Sequence, residues 1–183
     1  MVLGLFVSAA SLGVYSIAMP IAGLIWIVSE ALSLFAFDNG GKFTSVIHQR
    51  RRFVRLTTLN MLFGTVGAVV IALASIFVIP EVLPQYAGAV PLVLILLPGV
   101  LVQGYARIGL SIVFTTDSRR APVVIGMASA ALSVLYIPFV IGMGTIGAAI
   151  ASSVIYVLQM LVVGIVLRAL LNRMQTKESQ SNA

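Results

Sequence analysis

Five apolar runs fill most of this chain, at about residues 12–37, 54–79, 91–114, 123–141 and 148–171. Each is close to or beyond the ~20 residues that a helix needs to cross ~30 Å of hydrocarbon. In that medium every backbone N–H and C=O must find its partner inside the protein, so an isolated run has to be helical. Composition agrees: 60% of the 183 residues are hydrophobic and 9% are charged, whereas a soluble domain carries about 25% charged residues. Mean hydropathy is +1.13. The expected fold is all-α, a polytopic transmembrane helical bundle of five spans, followed by a polar, disordered tail over 172–183. Met1–Phe6 is apolar and too short to span. It reads as the remnant of a sixth span at the N-terminus.

The net charge of +6 does not point to nucleic acid, because the basic residues form no solvated face. They gather in alternate loops. Lys42, Arg50, Arg51, Arg52 and Arg55 lie between the first two runs, Arg119 and Arg120 between the third and fourth, and Arg168, Arg173 and Lys177 at the C-terminal end. The turns around Pro80–Gly88 and Gly142–Gly147 have no Lys or Arg. Basic loops stay in the cytoplasm, so the C-terminus is expected there and the N-terminus outside. The chain has no cysteine and one histidine, which leaves neither disulfides nor a metal-ligand cluster. No phosphate-cradling glycine loop, nucleophile elbow or HExxH pattern is present. An enzyme is not expected, nor a cofactor.

The third run departs most from a plain anchor. Pro98-Gly99 interrupts it, and a proline inside a helix removes one hydrogen bond and kinks the axis. Gln103, Arg107 and Ser111 then recur every four residues, on one helix face. An arginine in a span costs roughly 2.5–3.5 kcal/mol by insertion scales. Either it faces a wet cavity, or it snorkels ~12 Å along the helix toward the headgroups. Gln103 lies deeper on the same face and cannot snorkel so far. Polar stripes mark the other runs too: Trp26, Glu30 and Ser33; Thr57 and Asn60; Ser129, Ser133 and Tyr136; Ser152, Tyr156 and Gln159. Glu30 is open to several readings: protonated, paired with Arg107, exposed to a cavity, or interfacial. The residues expected along a substrate path are Arg107, Gln103, Glu30, Asn60, Tyr156 and Gln159.

Small residues mark where helices approach closely in lipid. Gly64 and Gly67 lie in the second run, Gly126 and Ala130 in the fourth, and the fifth opens with Gly147, Ala148, Ala149, Ala151, Ser152 and Ser153. Gly147, Ala151, Gly126 and Gly64 are the expected packing positions.

The segments LGVYSIAMPIAGLIWIVSEALS, ILLPG, TTDSRRAP and GMGTIGAAIASSVIYVLQ, in that order and spacing, resemble the C-terminal half of polysaccharide flippases. These belong to the multidrug/oligosaccharidyl-lipid/polysaccharide exporter superfamily, which includes the O-antigen flippases. The resemblance covers Ala10 to about Leu171. It implies one half of a two-lobed carrier of twelve or more spans in the bacterial cytoplasmic membrane, with the first half missing. The implied activity is transbilayer movement of undecaprenyl-diphosphate-linked oligosaccharide by alternating access. The implied partners are the lipid bilayer, the lipid-linked oligosaccharide, the missing N-terminal half and other polysaccharide-assembly proteins. Arg107 would attract the diphosphate, on its chemistry rather than on a motif match. Two other readings stand beside this one: a cation-coupled small-molecule exporter with Glu30 as its coupling carboxylate, and a non-transporting scaffold whose polar stripes only hold helices together.

Overall fold

The structure, a computed structural model, describes the backbone of residues 8–38, 46–114 and 120–181 and the side chains of 8–36, 50–114 and 120–176. The segment Met1–Phe6 and residues 115–119 of the TTDSRRAP turn lie outside the described residues. Every described element is helical: α1 (Ala9–Gly23), α2 (Trp26–Asp38), α3 (Val46–Val82), a 3-10 turn (Pro84–Tyr86), α4 (Ala89–Phe114), α5 (Arg120–Ser133) and α6 (Tyr136–Ser181). By length and composition three helices can cross a membrane, or four if the bent pair α1–α2 is one span.

The third expected span is α4 almost to the residue. The helix runs through Pro98 without a break. The others differ from expectation in ways that backbone chemistry explains. The first expected span is two helices bent by 46°. At the joint, Leu24, Ile27 and Val28 donate to carbonyls three residues back, the tighter 3-10 pattern. Gly23 permits the bend to close, since a Cβ there would stand 3.3 Å from the Trp26 ring.

The fourth expected span is also jointed. α5 stops at Ser133 and α6 begins at Tyr136. Pro138 has no N–H to donate to the Val134 carbonyl. Ile137 N–H takes that carbonyl instead, at 3.2 Å. The expected third turn is present: Gly144 has φ 58° and ψ −132° within α6, a conformation open to glycine. The chain doubles back there. A Cβ on Gly147 would strike the Phe139 carbonyl oxygen, although eight residues of straight helix would separate the two by ~12 Å.

Two helices outrun their expected ends. α3 begins at Val46, inside the expected polar connector. Arg52 anchors it by donating to the Phe35 carbonyl of α2 and by lying 5.4 Å from the centre of the Phe35 ring. The disorder expected beyond Leu171 is not found, because α6 continues to Ser181. That stretch has no Pro or Gly, and Thr176 donates its hydroxyl to the Asn172 carbonyl.

α4 is the hub, packed against α1, α2, α3 and α6. It runs parallel to α6: Gly99 abuts Ser153, and Gly109 abuts Val163 and Leu167. Phe53, near the start of α3, meets Gly109 as well. The start of α3 and the late parts of α4 and α6 therefore share one end of the bundle. The described arginines of the expected cytoplasmic segments come with them.

Two apolar clusters fill the interior. One joins Tyr15, Ala18 and Ala22 of α1 to Leu92, Leu96 and Val100 of α4 and to Ala148 and Ala149 of α6. The other joins Phe53 and Leu56 to Ile108, Ile112, Ala121, Val163 and Leu167. The outer surface is apolar too. On α3 alone Leu62, Phe63, Val66, Val70, Phe77 and Val78 are exposed. Continuous apolar surface of this extent is what a bilayer or another protein covers.

Candidate functional site

Along α4 the first apolar cluster ends at Val100 and the second begins at Ala106. Gln103, Gly104 and Arg107 fall at that junction, where a polar layer crosses the bundle. Arg107 forms an ion pair with Glu30 of α2. Its guanidinium also lies 4.7 Å from the centre of the Trp26 ring, close enough for cation–π attraction. Trp26 in turn meets Tyr156 of α6 edge to face, with ring centroids 6.2 Å apart. Gln103 donates its amide N–H to Gln159 Oε1 at 3.3 Å. Asn60 of α3 is fully buried and accepts the Ser29 hydroxyl at 2.8 Å.

All six expected path residues thus lie in one layer fed by α2, α3, α4 and α6. Helical spacing explains why the sequence could place Gln103 and Arg107 together. Ser29 and Gly104 were not anticipated. Ser29 is one more serine in an apolar run, and only its fully buried position facing Asn60 distinguishes it. Gly104 lacks a side chain because Asn60 Nδ2 and the Ser29 hydroxyl occupy that space. The signal available in advance was a small residue beside a glutamine in the middle of a span.

The ion pair is accessible: the Arg107 side chain is 28% exposed and that of Glu30 61%. The pair borders a cavity of about 400 Å³ between α2 and α4, whose polar lining is completed by Ser33 and Ser111 and whose floor includes Leu110 and Phe114. Ser111 keeps its hydroxyl on the Ile108 carbonyl, at 2.8 Å. Three buried polar atoms of the layer have no partner among the described residues: Trp26 Nε1, Asn60 Nδ2 and Gln103 Oε1; Thr57 Oγ1, one turn before Asn60 on α3, is a fourth such atom. Orphaned groups are costly in a dry interior. Their concentration here marks the layer as a place for water or a polar ligand.

The packing positions divide. Gly147 is in backbone contact, but with Phe139 of its own hairpin rather than with a distant span. Ala151 is buried, and a Cβ on Gly64 would press on Leu101. Gly126 is a correction: it meets nothing within 4 Å, because it shares the outward face of α5 with Val123 and Met127. One close helix crossing is half expected: Ser153 belongs to the small-residue run that opens the fifth span, and its partner Gly99 is not among the expected packing positions. Gly99 sits on the backbone of Ser153, and Ser153 donates its hydroxyl to the Ile95 carbonyl at 2.7 Å. Pro98 frees the Leu94 carbonyl by lacking an N–H, so the backbone here is already irregular in its bonding. Nearby, Tyr136 donates to the Tyr15 hydroxyl at 3.1 Å, and the Tyr15 and Ser152 hydroxyls lie 3.2 Å apart.

Comparison of the chain with protein-family models, with curated proteins and with solved structures gives no match. The resemblance to polysaccharide flippases therefore rests on the sequence motifs alone.

Proposed function

We propose that the chain moves an anionic amphiphile across the membrane: undecaprenyl-diphosphate-linked oligosaccharide in bacterial polysaccharide biosynthesis, as one lobe of a two-lobed carrier in the cytoplasmic membrane. The observation that carries this reading is the accessible Arg107–Glu30 pair on a cavity between α4, a helix of membrane-crossing length, and α2, the second half of the bent pair. Ionisable groups at such depth usually mark a substrate or ion path. Arginine suits a diphosphate, since its fork of donors binds phosphate oxygens bidentately and stays charged when partly desolvated. Glu30 occupies only one edge of that fork. An incoming diphosphate competes with the carboxylate and displaces it. Pockets for drug-sized ligands run to roughly 300–1,000 Å³, so this cavity, near the lower end at about 400 Å³, takes the charged joint of the molecule and leaves the glycan outside it.

The same pair favours a second reading. A carboxylate released from Arg107 is free to take a coupling ion. Glu30 then couples transport to an ion gradient, as in a small-molecule exporter. One assay separates the two. In a flippase-deficient strain that carries the two-lobed or reassembled protein, with the membrane level of each variant measured alongside, Arg107→Ala is expected to abolish complementation and Arg107→Lys to keep part of it. Glu30→Gln is expected to retain complementation if the carboxylate is only a competitor, and to lose it if the carboxylate carries the coupling ion. Full complementation by Arg107→Ala would remove Arg107 from the path.

A further inference from the structure

A second cavity, of about 490 Å³, opens between α3, α4 and α6. It shares no lining residue with the first, and nothing said of it rests on the transport reading. Its floor is the edge-to-face pair of Phe53 and Tyr105, with ring centroids 5.0 Å apart. Arg50 of α3 and Arg168, Asn172 and Gln175 of α6 complete it. The last three recur at spacings of four and three, on one face of the helix. Both arginines are exposed, and no carboxylate is among the described lining residues. Chemistry therefore grades from an aromatic floor, set beside membrane-length helices, to two guanidinium groups and two amides.

An anionic phospholipid has the same gradient, from acyl chain through glycerol esters to phosphate. We propose that this cavity binds an anionic phospholipid, with the phosphate between Arg50 and Arg168 and the upper acyl chain over Phe53 and Tyr105. Basic pockets between transmembrane helices take acidic headgroups in this way. Arginine reads the phosphate bidentately, and the two amides, further along α6 than Arg168, are placed for polar groups of the headgroup beyond the phosphate. A zwitterionic lipid brings its own ammonium to a doubly cationic rim and is disfavoured. Free phosphate leaves the aromatic floor uncovered. α3 and α6 otherwise touch little, so the lipid also bridges them.

The test uses the whole chain purified in detergent, with phosphatidylglycerol, phosphatidylcholine and inorganic phosphate as probes, read by native mass spectrometry and by thermal stability. The wild type is expected to retain phosphatidylglycerol selectively and to gain stability from it. Arg50→Gln with Arg168→Gln should weaken that binding by about tenfold or more, at the usual gain per basic residue near an anionic headgroup. Gly164→Leu, which fills the cavity and leaves the charge intact, should weaken it too. Arg51→Gln with Arg173→Gln removes an equal charge outside the cavity and should change nothing. Circular dichroism verifies that each variant keeps its helix content, and Arg50→Lys with Arg168→Lys should keep the lipid preference. Equal retention of the two lipids, indifference to the double glutamine variant or to Gly164→Leu, or displacement of the lipid by equimolar phosphate would overturn the proposal.

Discussion

Arg107 shows how far a single residue can be read before its neighbours are known. Its spacing from Gln103 and Ser111 fixes their common helix face, and the structure bears that out. Spacing could not choose Glu30 as its partner, because the two are far apart in sequence and meet only when α2 packs on α4. The same limit hid Ser29 and Gly104. A serine that bonds a neighbouring helix and one that bonds its own backbone look alike in sequence. Gly104 gives the sharper test. A Cβ there would enter the space of Asn60 Nδ2 and the Ser29 hydroxyl, both on buried residues. Gly104→Ala is expected to destabilise the chain by about 1–3 kcal/mol, the usual cost of overpacking. Thermal unfolding in detergent measures it. Gly126→Ala, which meets open space inside a helix, is the matched control and should leave the midpoint where it was or raise it slightly. Equal midpoints for the two variants would mean that α3 and α4 do not meet as closely as described.

At the scale of elements, apolar length located the helices and failed at their joints. A hydropathy pattern is blind to which carbonyl a given N–H reaches. The joints at Leu24 and at Val134 are changes from i−4 to i−3 bonding inside continuous apolar sequence. α6 outlasted its apolar run for a related reason. MQTKESQ is polar, yet its residues are ordinary helix formers, and a helix already nucleated extends at little cost. Turn chemistry was the dependable signal. The GMGTIG stretch reads as a turn, and Gly144 adopts the one positive φ among the described residues. The hairpin it makes depends on Gly147 as well. Gly147→Leu must push Phe139 away, since the carbonyl oxygen lies where the Cβ would go. It is expected to lower the thermal midpoint in detergent, and Gly144→Ala to lower it through φ alone. An unchanged midpoint for Gly147→Leu would count against the close approach at this turn.

For the molecule as a whole, charge carried the information that hydropathy lacked. Of the 11 Lys and Arg residues, ten fall in alternate loops or at the C-terminal end, and Arg107 is the eleventh. The structure gathers the described members of that set at one end. Phe53, next to the basic start of α3, and Leu167, next to Arg168, both pack around Gly109, and Ala121, next to Arg120, joins the same apolar cluster. Parallel α4 and α6 require this arrangement, because the late parts of two parallel helices lie on one side. An end rich in Arg opposite an end without it is the pattern that positive-inside orientation produces. Reporter fusions are therefore expected to place residues 42–52, 117–121 and the C-terminus in the cytoplasm, and residues 82–88 and 142–146 outside. The Gly144 hairpin makes the second outside position the discriminating one. If α5 and the first segment of α6 together cross the membrane, a reporter at 142–146 reports the outside. If they form a shallow re-entrant pair, it reports the cytoplasm while the 82–88 fusion still reports the outside. The two outcomes separate five crossings from four, and only the first gives α6 the direction that its parallel packing on α4 requires.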